Sequence, residues 1–141
     1  MRPRFAKRYD QVFQRRRLKI YFDGGCRPNP GVMEAAVVAR GDTYFFDNLG
    51  CGTNSDAEWR ALWLALRLAQ SLGEPDFDLI GDSLEVIRQA SGLSRCHAKT
   101  AADHRARYEE LAESGRPRRL IWTPRQQNLA GIALAGRNAH R

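Results

Sequence analysis

The chain has 141 residues and a formal net charge of +7, with 43% apolar residues and 28% charged ones. That length suits one domain around a single core, and the ordinary apolar fraction excludes wholesale disorder. No apolar run approaches membrane-spanning length and the basic N-terminus lacks a secretory h-region, so a cytoplasmic protein with no membrane partner is expected.

Residues 1–17 read as a basic arm and residues 18–141 as the domain. Residues 1–19 hold eight of the 23 basic side chains against one acid, Asp10, so residues 20–141 sum to zero. Phe5, Tyr9, Val12 and Phe13 interleave with those charges, a pattern that points to a polyanion. A solvated tail that aids solubility is the alternative.

Residues 18–23 (Leu-Lys-Ile-Tyr-Phe-Asp) alternate and then turn apolar, as a strand entering a core does. Gly24, Gly25, Pro28, Pro30 and Gly31 make the next stretch a fixed turn. Residues 33–40 and 43–49 flank Gly41-Asp42 and read as a hairpin. Residues 56–72 carry Ala57, Ala61, Leu62, Ala65, Leu68 and Leu72 at helical spacing, with Thr53, Asn54 or Ser55 as the cap and Gly73 as the stop. A short strand is expected over 77–81, and Ser83 caps a helix running to about Ala90. Helix 99–114, strand 118–123 and a short helix over 127–136 complete the chain. The order βββαβααβα with short connections gives an α/β fold. Its mixed five-stranded sheet has the first three strands antiparallel, the later ones parallel, and helices flanking it.

Cys26, Cys51 and Cys96 are odd in number and lack a Cys-x-x-Cys pair, so neither a disulfide framework nor a zinc ribbon is expected, and a reducing compartment fits. Trp59, Trp63 and Trp122 are assigned to core and helix packing.

Three acids then stand out: Asp23 in Tyr-Phe-Asp-Gly-Gly-Cys, Glu58 in Thr-Asn-Ser-Asp-Ala-Glu and Asp82 in Leu-Ile-Gly-Asp-Ser. Singly, each has a plain reading as a turn cap, a solvated helix acid and an N-cap. Together they sit on a strand, on the first turns of the following helix, and at the end of a strand expected to lie parallel beside the first. Acids converging from separate segments need a cation or a shared proton to offset their repulsion. An oxygen-only set suits Mg²⁺ or Mn²⁺ rather than zinc. Two such ions about 4 Å apart activate a water and stabilise the leaving oxygen in phosphodiester hydrolysis.

Asp-Gly-Gly-Cys-x-x-Asn-Pro-Gly, Thr-Asn-Ser-x-Ala-Glu with its Ala-Leu-rich helix, Gly-Asp-Ser and the final Trp-Thr-Pro-Arg-Gln-Gln-Asn resemble type 1 ribonuclease H, in its reverse transcriptase-like branch, over residues 18–136. The resemblance implies the ribonuclease H fold and Mg²⁺- or Mn²⁺-dependent endonucleolytic cleavage of RNA in RNA–DNA hybrids, with double-stranded RNA left open as a partner. It makes Asp23, Glu58 and Asp82 the catalytic metal ligands, Asp23 bridging both ions. It also places Cys26, Asn29 and Asn54 at the RNA minor groove, where 2′-hydroxyls mark RNA, and Asn29 with Thr53 at a phosphate of the DNA strand. Turn and cap chemistry is the competing account of those residues.

The chain departs from that pattern at two points. The last helix of the family reads Asn-x-x-Ala-Asp-x-Leu-Ala, whereas this one reads Asn128-Leu-Ala-Gly-Ile-Ala-Leu-Ala135. Ile132 therefore stands where a fourth acid is usual, and it is read as a core residue. No histidine lies between Trp122 and Asn128. Asn128, Asn138 and His140 are near enough in sequence to compensate, although no spacing singles one out. Arg125, just before that helix, reads equally as a phosphate-holding arginine and as a surface charge. Two functions follow: an active, divergent ribonuclease H, or a nucleic-acid-binding domain of the same fold that cuts weakly or not at all. None of these features sets an oligomeric state.

Overall fold

The computed structural model describes residues 17–140; the basic arm expected over residues 1–17 lies outside them, save Arg17. Six strands occur among the described residues: β1 (Leu18–Cys26), β2 (Gly31–Ala39), β3 (Asp42–Phe46), β4 (Cys51–Gly52), β5 (Phe77–Gly81) and β6 (Arg119–Trp122). Four α-helices accompany them: α1 (Asn54–Ser71), α2 (Leu84–Ala90), α3 (Lys99–Ala112) and α4 (Leu129–Ala139).

Five strands lie in the order β3-β2-β1-β5-β6. The β1–β2 and β2–β3 pairs are antiparallel, and β1–β5 and β5–β6 are parallel. This is the expected mixed sheet. The unexpected piece is β4, which pairs only with Gly31 and Val32 of β2. Two residues are too few to show a period of two, so composition could not mark it.

β1 is longer than the sequence pattern suggested. Gly24, Gly25 and Cys26 continue the strand because they pair with Ala35, Glu34 and Met33; the turn is confined to the residues before Gly31. The hairpin turn is Arg40–Gly41 rather than Gly41-Asp42, with both residues at positive φ (54° and 80°), the backbone a tight hairpin requires. β3 stops at Phe46, and Leu49 instead donates its N–H to the Met33 carbonyl at 3.0 Å on the way into β4.

Alternation along β1 divides the molecule. Ile20 and Phe22 face one side with Val37, Phe77 and Leu79, where α1, α2 and α3 cover them to form the main core. Tyr21 and Asp23 face the other side, where α4 packs Ala130 and Leu134 against Ala36. Asp78 of β5 is fully buried and paired with Arg119 at 3.1 Å and Arg17 at 3.5 Å, which is the condition for burying a carboxylate at all.

α1 starts with a capping box: Thr53 Oγ1 accepts from the Asp56 N–H at 3.1 Å, and the Thr53 N–H donates to Asp56 Oδ2 at 2.9 Å. The helix then runs against β1 at Gly24, where an added Cβ would stand 2.1 Å from the Ala57 carbonyl oxygen. Backbone meets backbone there, and no side chain can yield. Gly24→Ala is therefore expected to destabilise the fold by about 3 kcal/mol or more in urea unfolding. Gly41→Ala, open in space but at φ 80°, is expected to cost about 1 kcal/mol. Equal costs would show that α1 can shift away from β1.

Candidate metal centre

Three elements bring the acids together. Asp23 is on β1, facing α4. β5 runs parallel beside β1 with Tyr21 opposite Ile80, so Asp82, just past the end of β5, comes level with Asp23. Glu58 is on the first turns of α1, lowered toward β1 by the close approach at Gly24. Ligand oxygens of Asp23, Glu58 and Asp82 all lie within 4.8 Å of one another. The position is the usual one for chemistry on an open α/β sheet, outside the carboxyl ends of parallel strands.

The electrostatics follow from burial. Asp23 is pushed up to about 6, first by desolvation and then by the Asp82 charge, against lowering by the Glu58 hydrogen bond and by Arg125. Glu58 is driven well above the usual carboxylate range by burial, with the Asp23 charge next. The Asp23–Glu58 hydrogen bond favours charge on Asp23 and a proton on Glu58. One proton shared between two acids is what this geometry supports without a cation. Glu58 is only 9% exposed, and its Oε2 is buried without a hydrogen-bond partner. An all-oxygen cluster with an orphaned carboxylate oxygen fits a hard divalent cation.

α4 closes the other side. Gly131 faces the acids, and a Cβ there would stand 3.4 Å from both Asp23 Oδ2 and Asp82 Oδ2. A cleft of about 720 Å³ is lined by Asp23, Glu58, Glu34, Asn54, Arg125 and Asn138, among others. Ile132 lines it too and is 52% exposed, so it is not the core residue its apolar helix suggested. It lies about 200° around α4 from buried Ala130, on the side that meets solvent. Trp122 also departs from the packing role expected of it. It ends the edge strand β6, is 45% exposed, and donates its Nε1–H to the Asp82 carbonyl at 3.1 Å.

Asn128 is the residue whose role the sequence understated. It is fully buried and caps α4 by accepting from the Ala130 N–H at 3.2 Å. Its Nδ2 donates to the Phe22 carbonyl at 3.0 Å and to Asp82 Oδ2 at 2.8 Å. One side chain thus ties α4, β1 and an acid of the cluster together. An Asn before an apolar helix signals a cap; nothing local signals its hold on Asp82.

The expected groove residues gather at the end of β1. Asn54 Oδ1 accepts from the Cys26 N–H at 3.0 Å and from its thiol at 3.4 Å, and the Asn54 N–H donates to Asn29 Oδ1 at 3.1 Å. Cys26 is 4% exposed, and its thiol and N–H both serve this knot. Thr53 is occupied as the cap of α1. Asn29 and Asn54 stay exposed at the rim, and Arg125 is exposed on the cleft wall. No helix among the described residues is long and apolar enough to cross a membrane.

Comparison with known proteins gives consistent results. A family model described as reverse transcriptase-like matches residues 22–138. A ribonuclease HI of Halobacterium salinarum is 33% identical over 128 residues, covering 84% of this chain and 62% of that protein. The chain thus spans less than two thirds of the curated relative it matches. The crystal structure of an RNase H1 from Halobacterium salinarum superposes with TM-score 0.70 at 34% identity, covering 85% of this chain and 98% of that one. An N-terminal RNase H domain from Mycobacterium tuberculosis gives TM-score 0.70 at 28% identity, covering 84% and 95%. An RNase H1 solved in complex with an RNA/DNA hybrid gives 0.70 at 27%, covering 80% and 89%.

The raised acids set a pH dependence. Between 3.8 and about 6 the folded Asp23 holds more proton than the unfolded one, so its contribution to stability falls as pH rises through that window. Glu58 acts in the same direction. In chelator, Asp23→Asn is therefore expected to raise Tm above pH 6 and to leave it unchanged below 3.8. A divalent cation should cancel the wild-type deficit. Asn128→Ala, which strands the Phe22 carbonyl and removes a cap, is expected to cost about 2–4 kcal/mol in urea unfolding.

Proposed function

Because this chain belongs to the reverse transcriptase-like branch of the type 1 ribonuclease H family, we propose that it is a metal-dependent endonuclease that hydrolyses the RNA strand of RNA–DNA hybrids. The observation that carries this reading is the cluster of Asp23, Glu58 and Asp82, their ligand oxygens within 4.8 Å of one another at the end of parallel strands. Divalent cations, Mg²⁺ or Mn²⁺, would supply the charge that activates a water and stabilises the leaving oxygen. Asp23, Glu58 and Asp82 would hold them.

The protein groups do the rest. Asn128 fixes the Asp82 carboxylate by a 2.8 Å hydrogen bond. Arg125, whose charge already reaches Asp23, would take the phosphate beside the acids. Asn29, Asn54 and the backbone at Cys26 would meet the sugar edge of the hybrid, and Thr53 with Asn29 the other strand. The knot among Cys26, Asn29 and Asn54 supports this by holding the rim rigid before substrate arrives. Residues 1–17 would supply phosphate contacts, and the compartment would be the cytoplasm. A second reading has one observation in its favour: Ile132, at the cleft, offers no ligand where the family carries its fourth acid. On that reading the domain binds duplexes and cuts them weakly or not at all.

A labelled RNA–DNA hybrid in Mg²⁺ and then Mn²⁺, beside an Asp23→Asn control, separates the two. Cleavage confined to the RNA strand and absent from the control is the expected outcome. Salt-sensitive binding with no cleavage would establish the binding domain instead. Deleting residues 1–17 is expected to weaken hybrid binding and flatten its dependence on salt; an unchanged slope would remove the arm from the interface.

A further inference from the structure

Resting on the ribonuclease H reading, we infer that Glu34 of β2 supplies the carboxylate that α4 lacks at position 132, so that the cation site is completed from the sheet instead of the helix. Glu34 pairs in register with Gly25, and Ala36 with Asp23. Alternation puts Glu34 and Asp23 on the same face, under α4. Diagonal neighbours of this kind have Cα atoms about 7–8 Å apart, within reach of long side chains. Gly25, the residue beside Glu34 on β1, has no side chain to screen it from the acids. Glu34 lines the same cleft as Asp23, Glu58 and Ile132, on the side that α4 covers.

Two further observations point to a ligand there. Glu58, 9% exposed, lines the cleft and carries a buried Oε2 without a hydrogen-bond partner. Asn138 follows Gly131 by seven residues, two turns along the same face of α4, and its Nδ2 donates to Glu34 Oε1 at 2.7 Å. Its Oδ1 is buried and has no hydrogen-bond partner. A carboxylate and a carboxamide on one cleft offer oxygen donors for a hard cation. Arg137 lies 3.0 Å from Glu34 Oε2 and balances its charge in the cation-free protein. Arg137 also holds Asp47 at 2.8 and 3.1 Å, so it keeps a partner when Glu34 turns to a cation. Ile132 then needs no replacement on its own helix.

The test is a Mn²⁺ titration of the intact chain followed by electron paramagnetic resonance, for wild type, E34Q and the double variant E34Q/I132D. Wild type is expected to bind two Mn²⁺. E34Q should weaken the looser one about ten-fold or more and leave the tighter one in place, and I132D should restore it. In hybrid cleavage, the Mg²⁺ concentration for half-maximal rate should rise by a similar factor in E34Q while KM for hybrid holds. A glutamate that merely latches α4 would lower Tm without moving either cation curve. Should E34Q not fold, E34D keeps the charge and the Arg137 pair but withdraws the carboxylate by one methylene, and a weakened second Mn²⁺ is again expected. Superimposable Mn²⁺ isotherms for wild type and the folded variant overturn the inference, as does a wild type that binds fewer than two Mn²⁺. Glu34-dependent Mn²⁺ binding with no cleavage of any hybrid would uphold Glu34 and overturn the nuclease reading. Cleavage indifferent to Glu34 would do the reverse.

Discussion

Burying Glu58 beside Asp23 and Asp82 is the constraint on which the rest of the structure depends. Two like charges about 4–5 Å apart repel by about 3–4 kcal/mol at an effective dielectric of 20. That exceeds what a single cap or hydrogen bond contributes, so local contacts cannot hold three ionised acids together. The cluster exists because larger parts are locked around it. α1 is pinned to β1 through Gly24, β5 is zipped parallel to β1, and Asn128 clamps Asp82 from α4. Only a proton or a cation balances the remaining charge, and the elevated Asp23 and Glu58 are the signature of that demand.

The glycines around the acids serve this arrangement in different ways. Gly24 permits contact between two backbones, and Gly131 leaves the space that α4 needs to pass over the Asp23–Asp82 pair. Gly25 leaves the face of the sheet bare next to Glu34. At Gly24 and Gly131 a neighbouring group lies where a side chain would begin, the Ala57 carbonyl and two carboxylates respectively, whereas beside Gly25 a Cβ would meet Asn54 Oδ1 alone, at 3.6 Å. The rim is treated oppositely. Cys26, Asn29 and Asn54 tie their Oδ1 atoms, a thiol and two backbone N–H groups together, which leaves the Asn29 and Asn54 side-chain N–H groups at an ordered, polar surface beside the acids.

α4 is where this chain differs most from the pattern it resembles, and the structure shows what the helix retains. Its apolar face, Ala130 and Leu134, still seats it on Ala36 and Tyr21. Its N-terminal cap still holds Asp82. Arg137 and Asn138 anchor its far end to Glu34 and Asp47. What differs is position 132, where an exposed Ile132 stands in place of the acid of the pattern it resembles; the contacts that seat the helix are intact. A helix kept in place by three separate fastenings, over a cluster of acids that repel one another, fits a site still carrying a cation.

Much of this was legible in the sequence. Period-two and period-3.6 patterns, glycines and caps located every α-helix and every described strand except β4, because each depends on neighbours within a few residues. The motifs around Asp23, Glu58 and Asp82 pointed to three acids that the fold gathers within 4.8 Å, and the sheet order that brings them together followed from short connections and crossover handedness. Ile132 and Trp122 were misread because an apolar side chain looks the same in a core and at the mouth of a cleft; which one it occupies depends on what packs over it. Asn128 read as a cap and is also the clamp on Asp82, 46 residues away in the chain. Glu34 carried no signal at all. The sequence by itself thus determined the strands, the helices and the three acids that cluster. Only the tertiary structure decided which polar groups share the cleft with them, because that depends on the register between β1 and β2 and on where α4 crosses the sheet, contacts that no local pattern records.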